Sequence, residues 1–177
     1  QGVYALEDGR EDPTPFYDVC QTDWYYAPVD YVYRNTLFSG MDEHHFGPSS
    51  AMNRAMLMTV LYQMAGAPKE ELERASVTFA DVPESAWDAP YVKWGAEQGI
   101  TAGTGADPFS PEQQVTRQQV AALLYSFTTS YLGLEAAEGA DLSGYQDLGQ
   151  ASDWAHNALS WAVAEGIISS SSADSLT

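Results

Sequence analysis

The chain has one cysteine, Cys20, which excludes an internal disulfide and any CxxC metal or redox motif. Cys20 itself is expected to be a small buried apolar residue. Basic residues are also scarce. Seven Lys and Arg stand against twenty-five Asp and Glu, a formal net charge of -18, so repulsion from phosphate and anionic headgroups sets aside nucleic acid and anionic membranes as partners. The acidity reads as a solvated surface or as a surface for cations or basic proteins. No apolar run reaches the roughly 18 residues that a membrane-spanning helix needs, and no signal peptide is visible. With three histidines, His44, His45 and His156, there is little material for a catalytic triad, and neither a nucleophile elbow nor a phosphate loop occurs. Asp42-Glu43-His44-His45 puts four ligand types together, but without HExxH spacing or the alternating oxygens of a calcium loop. Neither catalysis, nor a metal, nor a cofactor is expected.

Apolar residues are plentiful: 45% of the chain is hydrophobic and 12% aromatic, enough to fill a core despite the charge. At 177 residues the expectation is one ordinary domain, or three small units sharing a core.

That core is assembled from repeats. Phe79 to Phe127 is the clearest copy, and residues 17–64 match it at a constant spacing: Asp18 with Asp81, Val19 with Val82, Trp24 with Trp87, Gly40 with Gly103, Phe46 with Phe109, Pro48 with Pro111, Arg54 with Arg117 and Leu61 with Leu124. A third copy runs over 145–177 through Asp147, Trp154, Trp161, Gly166 and Ile167, with Ser170 where the loop glycine would stand; it has no counterpart of the second helix. The expected organisation is a lead-in over 1–16, repeats at 17–64, 79–127 and 145–177, and connectors at 65–78 and 128–144, the first with a short charged helix at Lys69 to Arg74.

Each repeat reads as helix, loop, helix. In the central copy Trp87, Tyr91 and Trp94 share one helical face, and Gly99 followed by Ile100 marks a helix end with a left-handed glycine. Gly103, Gly105, Pro108 and Pro111 make the loop, with Phe109 as its anchor in the core. The second helix is expected from about Thr116 to Phe127 or slightly beyond, with Val120, Leu123, Leu124 and Phe127 as its apolar stripe. Trp24, Trp87, Trp94, Trp154 and Trp161 offer flat faces for sugar rings, but their helical spacing argues for core positions.

Thr116 and Gln119 make a capping box, and Asn53 is a good cap that Met56 cannot complete as a box. Arg117 and Arg54 are not explained by capping. A cation in the first helical turn opposes the macrodipole by roughly 0.3 to 1 kcal/mol, so each should face an anion. Two readings stay open: a salt bridge to the repeats' own Asp18, Asp81 or Asp147, or a bidentate grip on an acidic ligand.

Phe79-x-Asp81-Val82, Trp87, Gly99-Ile100-x-x-Gly103, Phe109-x-Pro111 and Thr116-Arg117 together resemble the S-layer homology (SLH) family, and the resemblance covers most of the chain. It implies an all-α fold of helix-loop-helix units about a pseudo-threefold axis. It also implies an extracellular protein of the bacterial cell surface or wall that binds secondary cell wall polysaccharide, commonly through an acidic pyruvylated sugar. In the family's Thr-Arg-Ala-Glu motif the arginine contacts the anionic group; here that role falls on Arg117 and Arg54. The tetrads depart from the motif at Gln118 and Gln119, and at Asn53 and Met56. The candidate carbohydrate-binding set is Arg54, Arg117, Asn53, Thr116, Gly40, Gly103, Trp87 and Trp154. The alternatives are a structural or adhesive surface protein in which the arginines brace the fold, and the anchor of a larger surface enzyme. If the chain ends at Thr177, a neighbouring protein chain or the N-terminal segment is expected to cover the apolar face of Trp154 and Trp161 where the third repeat lacks its second helix.

Overall fold

The computed structural model describes residues 14–103, 108–169 and Ser175. Part of the expected lead-in, together with Gly105 and Ser170, lies outside the described residues. The fold is all-α: α1 (Tyr26–Arg34), α2 (Arg54–Met64), α3 (Lys69–Arg74), α4 (Ala89–Glu97), α5 (Arg117–Ser126) and α6 (His156–Ala164), with short 3-10 turns ahead of α6. Among the described residues no strand forms, and an isolated antiparallel bridge joins Asn53 to Gln114. Two compact units divide after Ser50.

In residues 1–50, α1 presses Val29 onto a small core with Phe16 and Val19, and Tyr25, Tyr26, Tyr33 and Phe46 pack around it. Asp18 organises the loop behind this core by accepting the N–H groups of Phe46 and Gly47 at 2.9 and 2.8 Å. Cys20 is exposed, not buried as expected, because its short surface turn is held by Asp23, which accepts the Cys20 N–H at 2.7 Å.

In residues 51–177 the helices pair between neighbouring repeats of the sequence. α2 packs on α4, α3 also covers α4, and α5 packs on α6. The first core contains Leu57, Met58, Leu61, Val92, Trp94, Ile100, Phe109 and Phe127; the second contains Ala121, Ala158, Leu159, Trp161 and Ala162. Phe109 is fully buried, as the sequence predicts of the loop anchor. Gly99 ends α4 in the left-handed region at φ 71°, and the next N–H, of Ile100, returns to Gly95 O at 2.8 Å.

The second helix of the central repeat runs as expected, in α geometry to Ser126 and then as a π-helical turn, Phe127–Tyr131, in which Leu132 N–H donates to Phe127 O. This turn brings Tyr131 onto Phe127 and against the edge of Trp94, with ring centroids 5.4 and 5.3 Å apart. The expectation of core indoles is corrected in part. Trp94 and Trp161 lie inside their helices and are buried, whereas Trp24, Trp87 and Trp154 precede the helices and are exposed. Helical periodicity does not extend to that position, so it does not place those three rings in the core.

Candidate functional site

A cavity among the described residues surrounds Arg54. Asn53 caps α2 by accepting the Met56 N–H at 2.8 Å, and the Arg54 N–H donates to Gln113 O at 3.0 Å, so the first turn of α2 is tied to the loop of the next repeat. The side chain follows the same path. Arg54 Nε donates to Phe109 O at 2.8 Å, Nη2 lies 3.4 Å from Thr101 Oγ1, and Cζ sits 4.7 Å from the centroid of the Phe109 ring. Only 4% of the residue is exposed. Burial pushes the guanidinium pKa down, and the charge of Asp81 works the other way. Among the described residues Arg54 makes no ion pair with a carboxylate. The salt-bridge reading therefore does not hold for this arginine, because Asp81 is committed elsewhere: it accepts the N–H groups of Phe109 and Ser110 at 2.8 and 2.7 Å. Asp147 in turn accepts the hydroxyl of Ser175 at 2.8 Å.

Arg54 opens into a groove of about 420 Å³ lined by the 100–103 loop, Gln113, the Gln119, Ala122, Leu123 and Ser126 face of α5, and Trp154. Arg54 is the one charged residue in that lining. In a chain of net charge -18 this wall is locally cationic, an electrostatic setting that favours an anion. Trp154 adds a broad apolar face with an indole N–H donor, while Thr101, Ser126, Gln113 and Gln119 supply neutral hydrogen-bonding groups.

The expected site residues are only partly brought together. Arg54, Gly103 and Trp154 meet at the groove. Gly103 has φ 82°, and a Cβ there would fall 2.7 Å from Pro108 O; Gly40, at φ 91°, would place one 2.7 Å from the Phe16 ring. Both glycines shape backbone, and Gly40 belongs to the other unit. Asn53 and Thr116 serve as caps, with Thr116 completing its box with Gln119. Trp87 is exposed away from this groove. Arg117 is half-buried, and its guanidinium donates to Ser169 O, so it too reaches from a helix start into the following repeat. Beside it, Gln118 accepts the Ser152 N–H at 2.8 Å. The sequence reading missed Thr101, Gln113, Ser126 and the groove-facing role of Gln119, none of which stands out by residue type; Gln119 was legible only as a cap.

The S-layer homology domain family matches residues 15–55 and 78–121, and the chain belongs to that family. It is 32% identical over 133 residues to the Surface-layer 125 kDa protein of Lysinibacillus sphaericus, covering 75% of this chain and 10% of that protein. It is 24% identical over 152 residues to an endoglucanase of a Bacillus species, covering 86% of this chain and 16% of the enzyme. It is 27% identical over 125 residues to the cellulosome-anchoring protein of Acetivibrio thermocellus, covering 70% of this chain and 27% of that protein. The chain thus spans between about a tenth and about a quarter of these relatives. With surface-layer proteins among them, it is a protein of the cell surface or cell wall.

Proposed function

We propose that the chain is a non-catalytic anchoring module that holds a protein at the bacterial cell wall by binding an anionic secondary cell wall polysaccharide, with a pyruvylated sugar as the acidic group. The observation that carries this reading is the buried Arg54, which has no carboxylate partner among the described residues and stands as the sole charge in a groove walled by Trp154. A carboxylate of the glycan takes the guanidinium through a charge-assisted hydrogen bond. Trp154 covers the neighbouring sugar ring. Arg117 holds a second position of the same kind beside Ser169. On this reading the chain comprises repeats 17–64, 79–127 and 145–177, and Gly40, Gly103, Asn53 and Thr116 shape the loops and helix starts that position the arginines.

The test is retention on purified wall polysaccharide. Wild type should be retained, while Trp154→Ala and Arg117→Ala, both at positions with solvent access, should lose at least tenfold. Equal retention of all three would sink the proposal.

A second reading has its own observation. Arg54 is held by Phe109 on two sides, which is how a bracing residue looks, and the module then serves as a structural or adhesive scaffold. Here wild type shows no glycan binding and the arginine variants lose thermal stability only. Because an endoglucanase is among the relatives, either reading is compatible with a module that anchors a larger surface enzyme.

A further inference from the structure

Internal hydrogen bonds at the Arg54 groove consume acceptors and leave donors. Thr101 Oγ1 receives two N–H groups, from Arg54 Nη2 at 3.4 Å and from the Gly103 backbone at 3.3 Å. Both lone pairs are then engaged, and the hydroxyl hydrogen remains to donate. Gln119 is oriented in the same sense. Its Oε1 accepts the Thr116 N–H at 3.1 Å, so the capping box fixes the amide and leaves Nε2, with its two N–H groups, for the groove that Gln119 lines. Arg54 spends Nε on Phe109 O, and its Nη1 has no acceptor among the described residues. The indole of Trp154 is a donor by chemistry. Gln113 and Ser126 keep an open acceptor among the described residues, and each can turn a donor to the groove instead.

A wall of donors around a buried cation suits a ligand that only accepts. A carboxylate has no hydrogen to donate, whereas its neutral isostere, a carboxamide, sets its own N–H groups against those of Gln119 and Arg54. Residue 119 decides this polarity. A glutamate there would keep the cap with one oxygen and turn the second, charged oxygen to the place where the amide now offers two hydrogens, in a lining whose one charge is Arg54.

We propose that Gln119 is a specificity-determining residue of the groove: with its oxygen held by Thr116, its amide donates to the carboxylate that Arg54 attracts, and the groove thereby selects a carboxylate over a neutral ligand of the same shape. This rests on the reading of the groove as the binding site, and it holds for the carboxylate of a wall glycan or of a small acid alike.

The probes are sodium lactate, a carboxylate beside an oxygen-bearing carbon, and neutral lactamide, each titrated into the isotope-labelled chain at constant ionic strength. We expect lactate to shift the Gln119 side-chain amide and the Arg54 Nε–H along one saturation curve, and lactamide to shift neither. Gln119→Glu should keep its melting temperature, because the cap survives, and should weaken lactate binding at least tenfold at pH 7. Its deficit against wild type should narrow as pH falls from 7 to about 4.5, where protonation turns the groove-side oxygen back into a donor. Gln150→Glu, the same charge change at an exposed residue outside the lining, should bind lactate like wild type. A Gln119 amide unmoved by lactate, equal binding of lactamide, or equal affinity in Gln119→Glu would overturn the proposal; an equal loss in Gln150→Glu would overturn it by making net charge the cause. Retention on purified wall polysaccharide, measured in parallel, separates this from the proposed function. A lactate response without retention contradicts the glycan and leaves the role of Gln119 standing, whereas retention that Gln119→Glu leaves unchanged overturns that role alone.

Discussion

Arg54 and Phe109 hold each other by two routes: Arg54 Nε donates to the Phe109 carbonyl at 2.8 Å, and the guanidinium carbon lies 4.7 Å from the centre of the Phe109 ring. The carbonyl and the negative face of the ring give the cation what the start of α2 does not, since the helix dipole there repels it. The pair also ties a helix of the first repeat to the loop of the second.

Removing Arg54 should therefore cost stability whether or not a ligand binds. Arg54→Ala leaves a buried carbonyl without its donor and a gap above Phe109, a loss of about 2 to 4 kcal/mol. Arg54→Lys, which keeps charge but not the planar fork, should fall between the two. Urea unfolding checks both. A neutral Arg54→Ala would show that the pair contributes little.

The Asp18 and Asp81 clamps predict an acid-sensitive fold. Burial raises both carboxyl pKa values, but two backbone N–H groups apiece, with the charge of His45 near Asp18 and of Arg54 near Asp81, bring them below the usual carboxylate range. A carboxyl with a depressed folded pKa adds stability that is complete above the unfolded pKa of about 4 and is lost as pH falls through the folded value. Melting temperature should then be insensitive to these groups from pH 7 to 5 and fall below about pH 4. Asp81→Asn should flatten that acid limb, and Asp81→Ala should cost about 2 kcal/mol at pH 7. An unchanged limb in Asp81→Asn would assign the acid sensitivity to other carboxylates.

Backbone geometry gives a third set. Thr36 stands where the central repeat has Gly99, and it occupies the left-handed region at φ 55°. Thr36→Gly should gain up to about 1 kcal/mol by relieving it. Gly103 and Gly66 have nearly equal φ, 82° and 83°, yet a Cβ meets Pro108 O at 2.7 Å in the first and nothing within 4 Å in the second. Gly66→Ala should cost about 1 kcal/mol, the left-handed penalty alone, and Gly103→Ala clearly more. Equal losses in thermal denaturation would mean that the crowding at Gly103 relaxes freely.

Much of this architecture was legible because it is local. Gly99, the Thr116 capping box, the Asn53 cap and the buried Phe109 all follow from short-range rules of helix ends and loops. The misplaced features depend on contacts distant in sequence. Trp24, Trp87 and Trp154 share the spacing of helix residues but precede the helices, so periodicity assigned them to a core they do not enter. Asp81 looked like a partner for arginine, and it is engaged instead by two N–H groups 28 and 29 residues away. Arg54 could be singled out from its place against the dipole, but its partner lies 55 residues on, in a loop whose carbonyl direction no pattern of residue types reports. The groove, lined by Arg54, by residues between 100 and 126 and by Trp154, has no linear signature for the same reason.

The most direct measurement is calorimetric titration of the chain with purified wall polysaccharide before and after chemical removal of its acidic groups, in parallel with Trp154→Ala. The proposed function predicts binding of the native polymer that weakens with salt, a loss of at least tenfold on removing the acidic groups, and a comparable loss in a Trp154→Ala variant whose melting temperature is unchanged. Equal affinity for native and neutralised polymer, or full binding by Trp154→Ala, would contradict it.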